Sequence, residues 1–380
     1  MKIDPYKCKE KYLRWKKETQ DGIPRLSKVN SDLIHQFLYD MESGLNISGS
    51  KKGARSYNRL LALKNRLIIL CMKFNDIFNV GNITNITEEQ IHRFFTDMRN
   101  GDIRKNSGEE YRDVSDLIKD FKTFWHWHMK VSKKRGKDIL DITLDLDLSK
   151  DKPKWVYLNE EQVKKLSNLA KYEYKVLIMF LYDSGIRAPT ELINVKVSDF
   201  YNDFKELNIR DEISKTFGRR IKIMFCSEML KQYVKDKKLS ENDQLFKINY
   251  IVANRYLKRL AKKVFGDRES LAGERYSKLT LYDFRHNSCC YWLPKYPSEI
   301  ALKYRFGWKK SDKIHYYSEL LGMRDTISEE DLLVDVTKTE IEKRLMISEK
   351  NNEISKERIK ALEEQIIEIK KWAERIEERM

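Results

Sequence analysis

Four short segments in the second half of the chain gather side chains suited to work on a phosphate: DSGIRAPTELINVKVSDF (183–200), KTFGR (215–219), LYDFRHNS (281–288) and FGWKKSDKIHYYSEL (306–320). Among them are Arg187, Lys215, Arg285 and the adjacent pair Tyr316 and Tyr317. Guanidinium groups meet phosphate oxygens with planar, paired donors, a lysine can deliver a proton, and a tyrosine hydroxyl can attack phosphorus and hold it covalently. Such a displacement builds negative charge on the non-bridging oxygens, and fixed positive donors must meet it. Covalent attachment conserves the phosphodiester energy and splits a hard exchange into two easier steps, so no metal or high-energy cofactor is required. Metal chemistry has no foothold elsewhere. His126 and His128 point roughly 200° apart on a helix and cannot share an ion, and Cys8, Cys71, Cys226, Cys289 and Cys290 form no CxxC pair.

The chain has 380 residues and a net charge of +16, from 75 Lys and Arg against 59 Asp and Glu. Basic and acidic residues balance in residues 337–380, so the whole excess lies upstream. A basic body with 7 Trp, 20 Tyr and 16 Phe suits a polyanion, because Lys and Arg gain affinity for phosphates by releasing condensed counterions. Nucleic acid is the leading partner. Purely apolar runs such as Leu67 to Met72 are far short of the roughly 18 residues that span a bilayer. With no signal-peptide core and an odd number of cysteines, the expectation is a soluble protein of the cell interior with free thiols, cytoplasmic and associated with the nucleoid.

Taken in order, the four segments resemble the motif boxes of the tyrosine recombinase (integrase) family. Gly185-Ile186-Arg187 with Glu191 and Leu192 resembles the family's TGLR-x-x-E-L box, and Lys215 falls where the family keeps a hairpin lysine. LYDFRHNS resembles the H-x-x-R-H box, and FGWKKSDKIHYYSEL the LGH…Y-x-H box; Trp308 lies 23 residues after Arg285 and Tyr317 nine after Trp308, a frame similar to the family's. The resemblance implies that Arg187 and Arg285 hold and neutralise the phosphate. It makes Lys215 the general acid for the departing 5′ oxygen and Tyr317, in register with the family's Y-x-H, the nucleophile, Tyr316 being the neighbouring alternative. Arg219 and Arg220, whose very high pKa makes them poor proton donors, read as phosphate contacts. Three departures stand out: Tyr282 where the box usually opens with His, Trp308 where His often follows the glycine, and Glu191 four residues after Arg187 where three are common. Tyr282 and Trp308 are suited to holding phosphate rather than accepting a proton. His286, His315 or water remain as the base.

These boxes need elements to position them. Residues 1–30 form a basic extension, arm or helix, broken by Gly22 and Pro24. In the domain 31–150 the apolar spacing is helical from Ser31 to about Lys134, as in Val114, Leu117, Ile118, Phe121, Phe124, Trp125 and His128, giving four or five helices, and Asp145 to Pro153 reads as a polar linker. Residues 151–330 open with helical segments from Asn159 to Tyr182, broken at Ser184-Gly185. Alternation of Ile221, Ile223 and Phe225 with Arg220, Lys222 and Met224 then predicts a β-hairpin whose turn holds Lys215 to Arg219, Gly218 at the bend. Residues 331–380 form a helical tail whose 4,3 spacing (Ile341, Leu345, Ser348, Asn352, Ser355, Ile359, Leu362, Ile366, Ile369, Ala373, Ile376, Met380) predicts a coiled coil, weakened by its polar middle. The alternatives are self-association, packing on its own or a neighbouring catalytic domain, and disorder.

The expected fold is multidomain and mainly α: a helical core-binding (DNA-clamp) domain, a mixed α+β catalytic domain and a C-terminal coiled-coil helix. By resemblance, it encircles double-stranded DNA and forms a 3′-phosphotyrosyl link, with four protomers of a homo-tetramer exchanging strands in pairs. The Lys/Ile-rich character with Trp and Tyr variant boxes is similar to archaeal mobile-element integrases. Two rival readings keep the same fold: a catalytically silent DNA-binding protein, and a type IB topoisomerase that relaxes DNA as a monomer.

Overall fold

The computed structural model describes residues 2–49, 52–111, 113–150, 152–296, 298–321 and 348–349. The coiled-coil expectation for 341–380 therefore lies almost wholly outside the described residues. The chain divides into two compact units, one of Met1–Ser288 with Tyr304–Gly307, the other of Cys289–Lys303 with the residues from Trp308 onward.

In the first unit, α1 (Cys8–Glu18) lies within the basic extension, with Tyr12 buried. α2 (Lys28–Ser43), α3 (Tyr57–Phe78), α4 (Glu88–Asn100) and α5 (Val114–Lys134) follow, four α-helices among the described residues where the apolar period predicts four or five. α2 and α4 begin at side-chain caps on their orphan N–H groups: Ser27 accepts from Asn30 N, and Thr87 and Gln90 form a reciprocal capping box. One apolar core runs from Tyr12 to Leu146. Its centre is aromatic and edge-to-face, with Phe74 4.8 Å from Phe94 and Phe37 5.2 Å from Trp127 between ring centroids, the arrangement that ring quadrupoles favour. Buried polar groups there are paired. Trp127 donates to Asp40 at 2.7 Å, and Asp120 meets Arg59 at 2.5 Å and Arg66 at 2.7 Å. His126 bonds Asp141 at 2.9 Å. The polar stretch after α5 is tied down rather than loose, with Leu146 in the core and Lys150 on Asp116 at 3.0 Å.

Beyond it, α6 (Glu160–Asn168) and α7 (Tyr172–Ser184) lead to a three-stranded antiparallel sheet in the order β1 (Phe200–Tyr201), β2 (Glu206–Ile209), β3 (Arg219–Lys222). Leu207 pairs with Ile221 and Ile209 with Arg219. Since strand side chains alternate, Arg219 and Ile221 turn inward while Arg220 and Lys222 face solvent. The expected hairpin is present, but Arg219 belongs to its strand rather than to its turn. After β3 come α8 (Ser227–Asp236), α9 (Tyr250–Phe265), α10 (Asp283–Trp292), α11 (Glu299–Phe306) and α12 (Asp312–Leu320). No helix among the described residues is long and apolar enough to cross a membrane.

Candidate active site

α7 stops at Gly185, in the left-handed region at φ +60°; a Cβ there would come within 2.4 Å of the Phe306 ring and 2.7 Å of Ser288 Oγ. Only glycine allows this approach without a shift. The close contact brings the chain after α7 beside α10 and the end of α11. α10 is itself fixed through buried polar groups: Asn287 accepts from Leu158 N at 2.7 Å and donates to Val156 O at 3.1 Å, and Asp283 takes Thr280 N at 2.7 Å. Burial raises the Asp283 carboxyl, against the hydrogen bonds from Thr280.

Three arginines converge on the C-terminal end of α11. Arg219 Nε donates to Arg305 O at 2.8 Å, Arg285 Nη2 to Phe306 O, and Arg187 Nη2 to Gly307 O at 2.8 Å. The last carbonyls of a helix lack intrahelical donors and carry the negative end of its dipole, so cationic donors are favoured there. Arg285 Nη1 also donates to Gly185 O at 2.6 Å.

Glu191, fully buried, completes the cluster. It accepts from Arg187 Nη1 at 2.7 Å and Arg187 N at 2.9 Å, and from Arg219 at 3.2 and 2.9 Å. The one-residue displacement of this glutamate from the family spacing thus leaves it in contact with Arg187. Burial works to raise its carboxyl, but Arg219, then Arg187 and Arg285, outweigh it and hold the group at about 2. One carboxylate therefore faces three guanidinium groups. Burial pushes the Arg285 guanidinium down to about 10, and the like charge of Arg187 adds to that shift. Of its donor fork, Arg187 commits one N–H to Glu191 and one to Gly307, leaving the rest for a ligand.

Arg219 is corrected by this geometry. A phosphate contact is expected from its charge, but the guanidinium is buried and all three of its nitrogens are bonded within the protein. Arg220 is exposed, pairing with Glu206 at 2.5 Å and lying 4.2 Å over the Tyr201 ring. Lys215 is exposed on the β2–β3 loop. Gly218 lies in that loop because its N–H donates to Asp211 at 2.6 Å, and a Cβ would meet Asp211 N at 2.9 Å. Tyr282 is half exposed and edge-on to His286, which stacks on Trp155 at 4.8 Å.

Asp183 and Arg305 are further residues of the site, without a motif role in the sequence. Buried Asp183 accepts from the N–H groups of Met224, Phe225 and Cys226, at 2.9 Å for the first two, and from buried Arg305 at 3.3 Å. It fastens the exit of β3 to the end of α7, next to Gly185. The only trace in the sequence is a carboxylate on the apolar stretch of α7, two residues before the glycine.

In the second unit, Trp308 and Tyr317 stack, with centroids 5.9 Å apart and planes 12° off parallel, and Tyr316 meets Tyr317 edge-on at 5.2 Å. Tyr317 is buried; Tyr316 is partly buried and His315 exposed. The first unit thus brings together Arg187, Arg285 and the loop of Lys215, and the second brings together Trp308 and Tyr317.

No family model matches the sequence, and no curated protein matches it. Solved structures do match its fold. The Tn1549 transposon integrase in complex with circular intermediate DNA superposes with a TM-score of 0.55 at 16% identity, over 79% of this chain and 100% of that one. A lambda integrase dimer bound to a core site gives 0.53 at 14% identity, over 81% and 80% of the two chains. The XerH site-specific recombinase in its post-cleavage complex gives 0.51 at 16% identity, over 79% and 95%. The mainly helical chain with its small three-stranded sheet has the fold of the tyrosine recombinases.

Proposed function

We propose that this protein is a site-specific DNA recombinase that cuts and rejoins duplex DNA through a 3′-phosphotyrosyl intermediate. The observation that carries the reading is the convergence of Arg187 and Arg285 on Glu191 and the carbonyls of Phe306 and Gly307. Guanidinium groups fixed from behind in this way need no reorganisation when charge grows on a phosphate, which is the condition for electrostatic stabilisation of the transition state. The ordered motif boxes, the basic excess upstream of residue 337 and the fold shared with DNA-bound integrases all support it.

In this reading Tyr317 attacks the phosphorus, Lys215 protonates the departing 5′ oxygen, and Arg187 and Arg285 neutralise the non-bridging oxygens. Tyr282 and Trp308 assist in holding the phosphate. Residues 31–150 clamp the duplex and 151–330 carry the chemistry. Four protomers then exchange strands in pairs, with the tail from 331 aiding their association. A nicked suicide substrate tests this: a denaturant-resistant protein–DNA adduct must form and must vanish in Tyr317→Phe. Tyr282 and Trp308, in place of histidines, favour one second reading, a silent DNA-binding protein, which would bind the same DNA and give no adduct. Strand exchange between two duplexes, rather than relaxation alone, separates a recombinase from a topoisomerase.

A further inference from the structure

The loop that carries Lys215 is fastened to the arginine cluster by one side chain. Thr216 Oγ1 donates to Gly307 O at 2.8 Å, the same carbonyl that takes Arg187 Nη2 at 2.8 Å. Gly307 is shaped for this double contact. Its φ is +58°, and a Cβ would lie 3.1 Å from Thr216 Oγ1 and 3.0 Å from Arg219 Nη1. The loop is closed behind the contact by Thr216 N on Ser214 Oγ at 3.3 Å and by the Gly218 to Asp211 bond. Lys215 itself is exposed and makes no hydrogen bond or ion pair among the described residues.

We propose that Thr216 is a positioning residue that latches the β2–β3 loop onto the carbonyl holding Arg187, and so sets where the Lys215 ammonium meets the leaving oxygen. This rests on the reading of Lys215 as general acid. In the step concerned, the bond from Tyr317 Oη to phosphorus forms and the bond from phosphorus to O5′ breaks. O5′ keeps the electron pair and takes a proton from Lys215 Nζ, leaving a neutral amine, while the tyrosine's own proton passes to water. Proton delivery demands hydrogen-bond reach, and a lysine on an unfastened loop has many places to be.

The test is single-turnover cleavage of two suicide substrates, one with the ordinary 5′ bridging oxygen and one with sulfur there, since a thiolate departs without a proton. Thr216→Val keeps the volume and removes the donor. It should slow cleavage of the oxygen substrate by about tenfold to a hundredfold, the scale of a misplaced catalytic group, and recover to near the wild-type rate on sulfur. Thr216→Ser should keep the wild-type rate on both. Lys215→Ala is the companion: it too must be slow on oxygen and recover on sulfur. If Lys215→Ala is equally slow on both, the general-acid reading fails, and the latch with it. If Lys215→Ala recovers while Thr216→Val is unimpaired on oxygen, or slow on both substrates, the latch alone is overturned. Thr216→Ala repeats the comparison should valine unsettle the loop.

Discussion

Arg187, Arg219 and Arg285 donate to three consecutive carbonyls, those of residues 305, 306 and 307, and Glu191 ties the first two together from the side. The guanidinium groups differ in duty. Arg219 is consumed by its protein partners, whereas Arg187 retains donors for a ligand. Replacing Arg187 by Lys keeps a charge but gives up the planar fork. Cleavage should fall by about 10² to 10³, the cost of losing one fixed oxyanion donor, while DNA affinity changes little; adduct kinetics and a binding titration separate the two. Glu191 has a stability signature of its own. Its folded value of about 2 lies below its ordinary 4.5, so its contribution is complete above about pH 4.5 and is lost as pH falls through about 2. Glu191→Gln should cost roughly 3–5 kcal/mol at neutral pH, as expected for breaking a buried ion pair. It should also flatten the acid limb of stability in that window; denaturant titrations from pH 2 to 7 decide it.

At the scale of elements, the site depends on two close approaches made by glycine. Gly185 lets the end of α7 meet Phe306, and Gly307 admits Thr216 and Arg219. Gly185→Ala forces a side chain into a 2.4 Å contact at positive φ and should destabilise by about 1–3 kcal/mol, as overpacking does; a thermal melt measures it. Much of this level is legible in the sequence. The breaks at Gly185 and at the hairpin follow from local patterning, because a helix end and a period-two strand each leave a local signature. Arg219 was legible too. It shares its parity with Ile221, so the alternation that marks the strand also turns Arg219 inward; its charge suggests a ligand contact only if parity is set aside. The short length of β3 was not legible. Its exit is bent away by Asp183, 41 residues upstream in sequence, which captures the N–H groups of Met224, Phe225 and Cys226, and no local window contains both partners. Arg305 was hidden for the same reason, since its buried partners are Asp183 and the Lys222 carbonyl.

For the whole molecule, the net charge of +16 makes DNA binding a counterion-release problem. Affinity should fall by at least about tenfold between 50 and 200 mM salt; a salt series of binding titrations checks this, and an affinity insensitive to salt would count against a backbone-tracking clamp. Deleting 337–380, whose charges balance, should weaken assembly on DNA more than single-site cleavage, as read by comparing synaptic complexes with adduct yield. Unchanged recombination in the truncated protein would remove any role for the tail in association. If Tyr317 becomes joined to DNA, the adduct itself can be isolated. A suicide substrate is incubated with the wild-type protein, Tyr317→Phe and Tyr316→Phe, then resolved under denaturing conditions. A covalent species should form with the wild type and with Tyr316→Phe, and none with Tyr317→Phe. An adduct that survives Tyr317→Phe, or no adduct from a wild type that binds the DNA, would contradict it.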